Sequence, residues 1–362
     1  MSESTSKTET SAAAKEPEKS TEATEVTEAA EVTETAEVTE TAEATETSEV
    51  TGAAAATEAE GADDPSPVKR GPVRIALGVL KTARPRQWVK NVLVFVAPFT
   101  AKQISNVDVL TDALIAFIAF SLVASSVYLI NDAIDVEADR AHPKKRKRPI
   151  AAGIVPVPLA YVAAVLFFGV GMGISFLARP ELAIVLGVYE AVQLGYCFGL
   201  KHQPVVDLAI VGSGFLMRSI AGGAAAGIGL SQWFLLVTAF GSLFMVAGKR
   251  YAEIMLFERT GAKIRASLKK YSASYLRFVW ATSAAIVIMS YGLWAFELKE
   301  HADGSVWPVL SMIPFVVAIL RYAVDVDGGN AGEPEELVLR DRVLQILGLL
   351  WIGTLVVSYY VS

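Results

Sequence analysis

The feature that most constrains this chain is a series of apolar runs of membrane-spanning length. A helix needs about 20 apolar residues to cross a hydrocarbon core of roughly 30 Å. Nine such runs follow Lys69, and we predict an all-α domain over 68–362 that is a bundle of nine transmembrane helices. The predicted spans are 88–105, 110–131, 157–178, 181–200, 203–227, 231–248, 272–296, 305–323 and 343–361.

The basic residues between these spans indicate how the helices are oriented. Lys and Arg are concentrated in the cytoplasmic loops of membrane proteins. With the N-terminus inside, the inner segments 69–90, 140–148 and 249–270 are strongly basic, whereas the outer connections hold three basic residues in all. We therefore predict a multi-pass plasma-membrane protein whose N-terminus and active site are cytoplasmic and whose C-terminus is external.

Residues 1–67 differ sharply from this domain. They hold 18 acidic residues and three lysines, a net charge of −15, whereas residues 68–362 carry +9. Every third residue from Glu22 to Glu49 is Glu, and the segment contains no aromatic residue. Such a sequence cannot bury enough apolar surface to offset the entropy of ordering it. We predict a disordered acidic low-complexity tail with no cleaved signal peptide, and a soluble globular enzyme is disfavoured.

A polar segment, Asn131-Asp132-Ala-Ile-Asp135-Val-Glu137-Ala-Asp139, follows the second span. On a helix, Asn131, Asp135 and Asp139 share one face, with about 6 Å of rise between neighbours. A few oxygen ligands of this kind suit Mg²⁺ that is shared with substrate phosphates. A solvated helix end is the alternative, but carboxylates at the edge of a span are costly unless they are used. We predict a Mg²⁺–diphosphate site with Asp135 and Asp139 as catalytic residues.

The single cysteine, Cys197, excludes an intramolecular disulfide and a multi-cysteine metal site.

A basic segment, Lys144-Lys145-Arg146-Lys147-Arg148, comes directly after these acids. It can serve as an orientation signal that touches anionic lipid. Beside an acidic metal site, the same bases also form a phosphate cradle, because arginine matches phosphate oxygens with two parallel hydrogen bonds. We expect both roles.

The Asn131-x-x-x-Asp135-x-x-x-Asp139 pattern, with Arg148-Pro149-Ile-Ala-Ala-Gly153 on nine predicted spans, resembles the UbiA-type intramembrane prenyltransferase superfamily. Finer motifs resemble the decaprenyl-phosphate phosphoribosyltransferases of actinobacterial cell-wall synthesis. These motifs are Arg84-Pro-Arg-Gln-Trp88-Val-Lys90-Asn91, Tyr196-Cys-Phe-Gly-Leu-Lys201-His202, Gly248-Lys249-Arg250-Tyr251-Ala252-Glu253 and Tyr322-Ala-Val-Asp325-Val-Asp327-Gly-Gly. The resemblance covers about residues 74–360.

The resemblance implies a Mg²⁺-dependent glycosyltransferase, specifically a phosphoribosyltransferase. Its donor would be 5-phosphoribosyl 1-diphosphate and its acceptor decaprenyl (polyprenyl) phosphate. The product would become the arabinose donor of arabinogalactan and lipoarabinomannan. The lipid bilayer is the expected surrounding, a homo-oligomer is allowed, and no nucleic acid is involved.

One departure from the wider superfamily concerns its second acidic motif, Asp-x-x-x-Asp, after the sixth span. The equivalent stretch here reads Lys249-Arg250-Tyr-Ala-Glu253, so a cation has replaced one carboxylate. A phosphoribosyl donor has an additional 5-phosphate that needs cations, which Lys249 and Arg250 could supply. Glu253 could still reach Mg²⁺ through water. The alternative is a helix end with orientation charges.

Other polar residues lie in or near the spans. Arg218 is the deepest charge, and an unpaired cation in lipid would be expensive, so it either pairs with an acid or touches substrate phosphate. Arg321, Asp325 and Asp327 end the eighth span and are candidates for substrate contact, and the alternative is that Asp325-Val-Asp327-Gly-Gly forms a simple turn. The substrate-binding residues that we predict are Lys90, Asn91, Asp132, Lys145, Arg146, Arg148, Tyr196, Lys201, Arg218, Lys249, Arg250 and Glu253.

Two other functions fit part of this pattern. A UbiA-type prenyltransferase would move a prenyl group from prenyl diphosphate to an aromatic acceptor, but Lys249 argues against that donor. A transporter would explain the spans and the intramembrane charge. It would not explain stacked oxygen ligands followed by a phosphate cradle.

Overall fold

The computed structural model describes residues 71–261, 268, 270–301, 305–332 and 334–360. Within these ranges all regular secondary structure is helical, as predicted. The predicted acidic tail lies outside the described residues. The α-helices are α1 (Pro72–Thr82), α2 (Val96–Thr100), α3 (Val107–Ile134), α4 (Val136–Ala141), α5 (Val157–Ser175), α6 (Pro180–Cys197), α7 (Val206–Ala226), α8 (Gln232–Thr260), α9 (Ala273–His301), α10 (Trp307–Leu310), α11 (Met312–Asp327), α12 (Pro334–Arg340) and α13 (Arg342–Tyr360). Three 3-10 helices cover Pro85–Phe95 (11 residues), Lys145–Lys147 and Leu200–His202.

Six helical segments among the described residues are long and apolar enough to cross a membrane. They are α3, α5, α7, α8, α9 and the α10–α11 pair, and each coincides with a predicted span. The apolar part of α13, Arg342–Ser358, is shorter. The count of nine spans therefore stays a prediction, with α6, α13 and the first span as the remaining candidates.

The first predicted span, 88–105, is not one continuous α-helix. It consists of the 3-10 helix Pro85–Phe95 followed by α2. The 3-10 helix packs directly against α7, where a Cβ placed on Gly222 would lie 1.8 Å from the carbonyl oxygen of Val94. Only glycine allows this close approach of two backbones. The segment is therefore fitted into the bundle by packing and by its prolines, rather than by a regular apolar helix.

α7 joins the two halves of the bundle. One buried apolar cluster involves α7, α8, α9 and α11, and it includes Leu208 near the start of α7. A second cluster involves α3, α6, α7 and the 3-10 helix, and it includes Ala221 and Ala225 near the end of α7. On the outside, apolar side chains such as Val165 of α5 and Leu349 of α13 are each 70% exposed. Such faces suit lipid.

Consecutive long helices bring several helix ends together. Lys201, in the turn between α6 and α7, contacts Asp135 at the end of α3. The following residue of that turn, His202, accepts a hydrogen bond from Lys270 just before α9. The ends of α3 and α6 and the beginnings of α7 and α9 therefore lie at one end of the bundle. The predicted site residues are concentrated there.

Candidate active site

The predicted oxygen ligands lie at the junction of α3 and α4. Asn131 is in the last turn of α3, Asp135 caps that helix, and Asp139 lies in α4. The backbone N–H of Asp135 donates to the carbonyl of Asn131 (2.9 Å), and that of Asp139 donates to the carbonyl of Asp135 (2.8 Å). The four-residue spacing therefore persists through the junction. The common face that the sequence predicted for the three side chains stays a prediction, because Asp135 ends α3 and begins the separate helix α4.

The two carboxylates of this set are each paired with a cation. The Nζ of Lys201 lies 3.0 Å and 3.3 Å from the two carboxylate oxygens of Asp135. The Nη1 of Arg148 lies 2.9 Å from Oδ2 of Asp139. Two predicted substrate-binding cations are thus in direct contact with two predicted metal ligands.

Asp132 holds two arginines in the same place. Its Oδ1 accepts hydrogen bonds from Nη2 of Arg84 (2.7 Å) and from Nη1 of Arg148 (3.2 Å). The guanidinium of Arg84 also lies 4.9 Å from the centre of the Tyr128 ring. These contacts define the acid–cation cluster, which consists of Arg84, Asp132, Asp135, Asp139, Arg148 and Lys201.

Arg84 is the member of this cluster that the sequence prediction missed. It begins the 84–91 motif, which was the available signal, but it also lies in a basic inner segment where arginine is explained as an orientation charge. Its backbone φ of 53° is in the left-handed region, which is uncommon for a residue other than glycine. The turn before Pro85 therefore aims Arg84 at Asp132.

Two carboxylates of the acid–cation cluster are buried, and its other members are 9–17% exposed. The side chains of Asp132 and Asp139 are 3% and 4% exposed. Burial raises the pKa of Asp139 above its ordinary value, and the adjacent Arg148 guanidinium lowers it in part. Buried charges are costly unless they are paired. The ion pairs therefore allow these carboxylates to be buried at this end of the helix bundle.

We call Asn131, Asp135 and Asp139 the oxygen set. By themselves these residues do not form a complete coordination shell for a metal ion. Among the described residues, no three His, Cys, Asp or Glu side chains form a group that could hold a metal ion. The third member of the set is an amide, and its Oδ1 lies 3.5 Å from the Cys197 thiol, which donates to it. One or two carboxylates with substrate phosphate oxygens are the usual ligands of Mg²⁺ in phosphate chemistry. The donor atoms therefore fit Mg²⁺ that arrives with a phosphorylated substrate.

The basic segment after α4 separates into inward and outward residues. Lys145, in a 3-10 helix, is buried, and Arg148 belongs to the acid–cation cluster. Arg146 and Lys147 are exposed. The structure thus brings two of the predicted cradle residues to the acids, and the role of Arg146 stays a prediction.

A second buried cluster, built around the carboxylate of Asp207, lies just after the turn that carries Lys201. The Nη2 of Arg250 in α8 lies 3.4 Å from Oδ2 of Asp207 at the start of α7. The Tyr271 hydroxyl donates to Oδ1 of Asp207 and accepts a hydrogen bond from the backbone N–H of Val205 (2.6 Å). Burial, together with the hydrogen bond to Asp207, raises the pKa of Tyr271. We call Asp207, Arg250 and Tyr271 the Asp207 cluster.

This arrangement separates two adjacent residues that the sequence grouped together. Arg250 is buried against Asp207. Lys249 is rotated by about 100° around α8, is half-buried, and forms no ion pair with another described residue. Glu253 is also half-buried and, four residues on, shares the face of Lys249. Lys249 therefore matches the expected phosphate-binding cation better than Arg250 does.

Arg218 is held deep in the bundle by neutral groups. Its Nε donates to Oδ1 of Asn91 (2.7 Å), and its Nη1 donates to the Gly214 carbonyl (2.5 Å). The guanidinium also lies 4.9 Å from the Phe120 ring centre. In the described part of the chain no acid pairs with Arg218, and contact with substrate phosphate stays a prediction. An amide, a carbonyl and an aromatic ring stabilise this cation instead.

The remaining predicted residues lie on other helices. Lys90, on the first 3-10 helix, and Tyr196, in the last turn of α6, are both half-buried. At the end of α11, Arg321 bonds to Asp341 (2.8 Å) and Asp327 pairs with Arg277 (2.9 Å). Arg321 and Asp327 therefore link α11 to neighbouring elements. A backbone turn follows α11, in which the Asn330 N–H donates to the Asp325 carbonyl (2.8 Å), and substrate contact stays a prediction.

Comparison with known proteins identifies close relatives. Residues 92–340 match the UbiA prenyltransferase family. The chain is 59% identical over 291 residues to a decaprenyl-phosphate phosphoribosyltransferase of Mycobacterium tuberculosis, covering 79% of this chain and 96% of that protein. It is 56% identical over 298 residues to the protein of the same name from Corynebacterium glutamicum, covering 81% of this chain and 90% of that protein.

Solved structures share the fold at low sequence identity. A UbiA homologue from Archaeoglobus fulgidus bound to DMAPP and Mg²⁺ matches with a TM-score of 0.58 and 14% identity, covering 78% of this chain and 98% of that one. A digeranylgeranylglyceryl phosphate synthase matches with a TM-score of 0.54 and 15% identity, covering 79% and 97%. These similarities concern the helical architecture alone.

Proposed function

The chain belongs to the UbiA prenyltransferase family, and from that premise we propose that it transfers the 5-phosphoribosyl group of 5-phosphoribosyl 1-diphosphate to decaprenyl phosphate. The product would be decaprenylphosphoryl-5-phosphoribose, a precursor for cell-wall arabinan. The observation that carries this proposal is the acid–cation cluster, in which oxygen ligands for a metal lie within hydrogen-bond distance of phosphate-binding cations. The two relatives with the same named activity match over at least nine tenths of their length.

The choice of donor rests on Lys249. A prenyl diphosphate has only its diphosphate for the protein to hold, whereas the phosphoribosyl donor has a second phosphate at the 5-position. Lys249 lies half-buried on α8, on the same face as Glu253. A lysine and an acid at these positions suit one phosphate contact and one water-mediated contact to metal. Arg250 would act indirectly, by fixing α8 against α7.

The chain's own residues can be assigned to the steps of the transfer. Asn131, Asp135 and Asp139 would hold Mg²⁺, which supplies positive charge to the departing diphosphate when it is bound. Lys201 and Arg148 would bind the diphosphate oxygens as negative charge develops on them. Charge stabilisation of this kind, built into a buried site, is commonly a large contribution to catalysis.

The acceptor needs no strong general base. An oxygen of decaprenyl phosphate is already anionic, and it would attack C1 of ribose as the bond from C1 to the diphosphate oxygen breaks. The protein contributes by holding the two substrates in line and by excluding water. Backside attack on an α-configured donor gives a β-ribosyl phosphate.

We also propose the membrane arrangement that the basic loops predict. The chain would cross the plasma membrane nine times, with the N-terminus cytoplasmic. The ends of α3 and α6 and the beginnings of α7 and α9 would then face the cytoplasm, where a water-soluble donor is available. The isoprenoid chain would stay in lipid, and the acidic tail of residues 1–67 would be a separate disordered segment.

A donor comparison tests the function. Membranes containing the protein are incubated with labelled 5-phosphoribosyl 1-diphosphate or with labelled prenyl diphosphate and an aromatic acid, and the lipids are extracted. We expect label in a polyprenyl phosphate sugar only with the first donor, and none with the Asp135→Asn variant. Transfer of label only from prenyl diphosphate would overturn the proposal in favour of an aromatic prenyltransferase.

A further inference from the structure

The acid–cation cluster balances its own charge. It contains the carboxylates of Asp132, Asp135 and Asp139 and the cations of Arg84, Arg148 and Lys201. The Arg84–Asp132, Arg148–Asp132, Arg148–Asp139 and Lys201–Asp135 pairs have shortest N–O separations of 2.7 to 3.2 Å. Lys145, another buried cation, acts electrostatically on Asp139. The oxygen set therefore has no excess negative charge with which to attract a free divalent ion.

From this balance we infer that Lys201 and Arg148 keep free Mg²⁺ out of the oxygen set, and that the metal enters only together with a diphosphate. The inference rests on the proposed function, because it assigns the order in which the parts of that same site are filled. In this view Lys201 and Arg148 form ion pairs with Asp135 and Asp139 while no donor is bound. When the donor binds, these two cations leave the carboxylates and bind phosphate oxygens instead.

The contacts of Lys201 show why a lone metal ion is excluded. Its ammonium group lies within 3.3 Å of both oxygens of Asp135, so a metal bound to that carboxylate would lie beside a like charge. The two side chains are 9% and 12% exposed, so water and salt screen this repulsion only weakly. Arg148 has the same relation to Asp139, with 11% and 4% exposure.

A diphosphate removes this obstacle because it supplies new partners for the displaced cations. Arg148 can bind phosphate oxygens with two parallel hydrogen bonds, and Lys201 can act as a point charge. Asp132 would remain compensated after Arg148 moves, since Arg84 still lies 2.7 Å from it. The metal charge then balances the diphosphate charge, and the buried site returns to approximate neutrality.

The backbone is arranged for such an exchange. The carboxylates lie on α3, its C-cap and α4, which are fixed by consecutive helical hydrogen bonds. Lys201 lies in a 3-10 turn directly after Gly199, whose φ of +135° is available to glycine. Arg148 follows another short 3-10 helix in an extended conformation. The cations can therefore shift by changes in turns while the oxygen ligands keep their positions.

Metal binding, measured without turnover, tests the inference. The full-length protein in lipid nanodiscs is dialysed to equilibrium against Mn²⁺, with and without inorganic diphosphate, and the bound metal is counted. We expect wild type to bind Mn²⁺ about tenfold more tightly when diphosphate is present, within the usual range for coupling between ligands. Lys201→Met should bind Mn²⁺ alone about tenfold more tightly than wild type and lose most of the diphosphate effect.

Two control variants isolate the charge at position 201. Lys201→Arg keeps the cation and should behave as wild type. Lys270→Met removes a cation beside the same turn, where Lys270 donates to the His202 carbonyl, and it should also behave as wild type. If Lys201→Met does not fold, the wild-type comparison still decides, because equal Mn²⁺ affinity with and without diphosphate would overturn the inference.

The outcomes distinguish this inference from the proposed function. Diphosphate-dependent Mn²⁺ binding that Asp135→Asn abolishes but Lys201→Met does not alter would reject the cation exchange and leave the metal site in place. Failure to bind Mn²⁺ under any condition, or binding that ignores Asp135→Asn, would reject the proposed metal site together with the exchange.

Discussion

Two buried carboxylate clusters lie at the same end of the helix bundle, and they are built differently. In the Asp207 cluster, one carboxylate at the start of α7 serves one arginine of α8 and one tyrosine that lies two residues before α9. In the acid–cation cluster, three carboxylates meet three cations that lie mainly in turns. The first cluster ties helices together. The second holds more charge than helix packing requires, which is typical of a site for a charged substrate.

The comparison also shows that burial of a carboxylate does not by itself indicate a functional site. Asp207 is 1% exposed and Asp132 is 2% exposed, so burial does not tell the clusters apart. What distinguishes them is the role proposed for the acid–cation cluster, in which Asp135 and Asp139 would hold a metal beside Lys201 and Arg148. Each of the following predictions tests one side of this distinction.

The largest effect is expected at the oxygen set. Asp135→Asn removes a charge needed to hold the metal and the departing diphosphate, so kcat/KM should fall about a thousandfold, or about 4 kcal/mol in barrier. Asp139→Asn should behave similarly. Activity is measured in membranes at saturating Mg²⁺, with protein abundance checked by immunoblot. Near-normal turnover in either variant would contradict the assignment of a catalytic metal site.

The Asp207 cluster should respond in stability instead. Asp207→Asn leaves Arg250 buried without its counter-charge, and breaking a buried pair in this way costs about 3 kcal/mol or more. We expect a lower melting temperature in detergent with the donor KM little changed. The double variant Asp207→Asn with Arg250→Met should recover part of the loss. A tenfold rise in donor KM at unchanged melting temperature would place this cluster in the substrate site.

Two adjacent residues of α8, Lys249 and Arg250, test the same difference between substrate binding and helix packing. Lys249→Ala should raise the donor KM about ten- to a hundredfold, because one charge-assisted contact to the 5-phosphate contributes roughly 1.5 to 3 kcal/mol. The acceptor KM should change little. Arg250→Ala, one residue away, should lower stability and leave the donor KM nearly unchanged.

A donor lacking the 5-phosphate isolates the Lys249 contact. Wild type and Lys249→Ala are compared with 5-phosphoribosyl 1-diphosphate and with ribosyl 1-diphosphate, which makes a double comparison. The substitution should matter much less with the second donor. Equal losses with both donors would mean that Lys249 acts on the diphosphate or on the fold.

The smallest effect is expected for the acidic tail of residues 1–67. Deleting residues 2–66 should change kcat by no more than about a factor of two, or about 0.4 kcal/mol, because the tail is predicted to supply no oriented group. The rate is compared at equal membrane abundance. A tenfold loss would show that the tail contributes to the site.

The sequence by itself determined the features that depend on local geometry. Six predicted spans coincide with long apolar helices, because about 20 apolar residues in a row specify a membrane helix without reference to the rest of the chain. The predicted alignment of Asn131, Asp135 and Asp139 rests on the helical repeat alone. The resemblance in the motifs is likewise a property of the sequence, and the relatives at 56% and 59% identity agree with it.

Only the tertiary structure decided which side chains meet. Arg84 and Asp132 are 48 residues apart, and Arg218 and Asn91 are 127 residues apart. No periodicity encodes such pairs, because they depend on how helices pack and where turns place the chain. For the same reason the sequence could not separate Lys249 from Arg250. Their charges are equivalent, and only the position of Asp207 shows which of the two is already used by the fold.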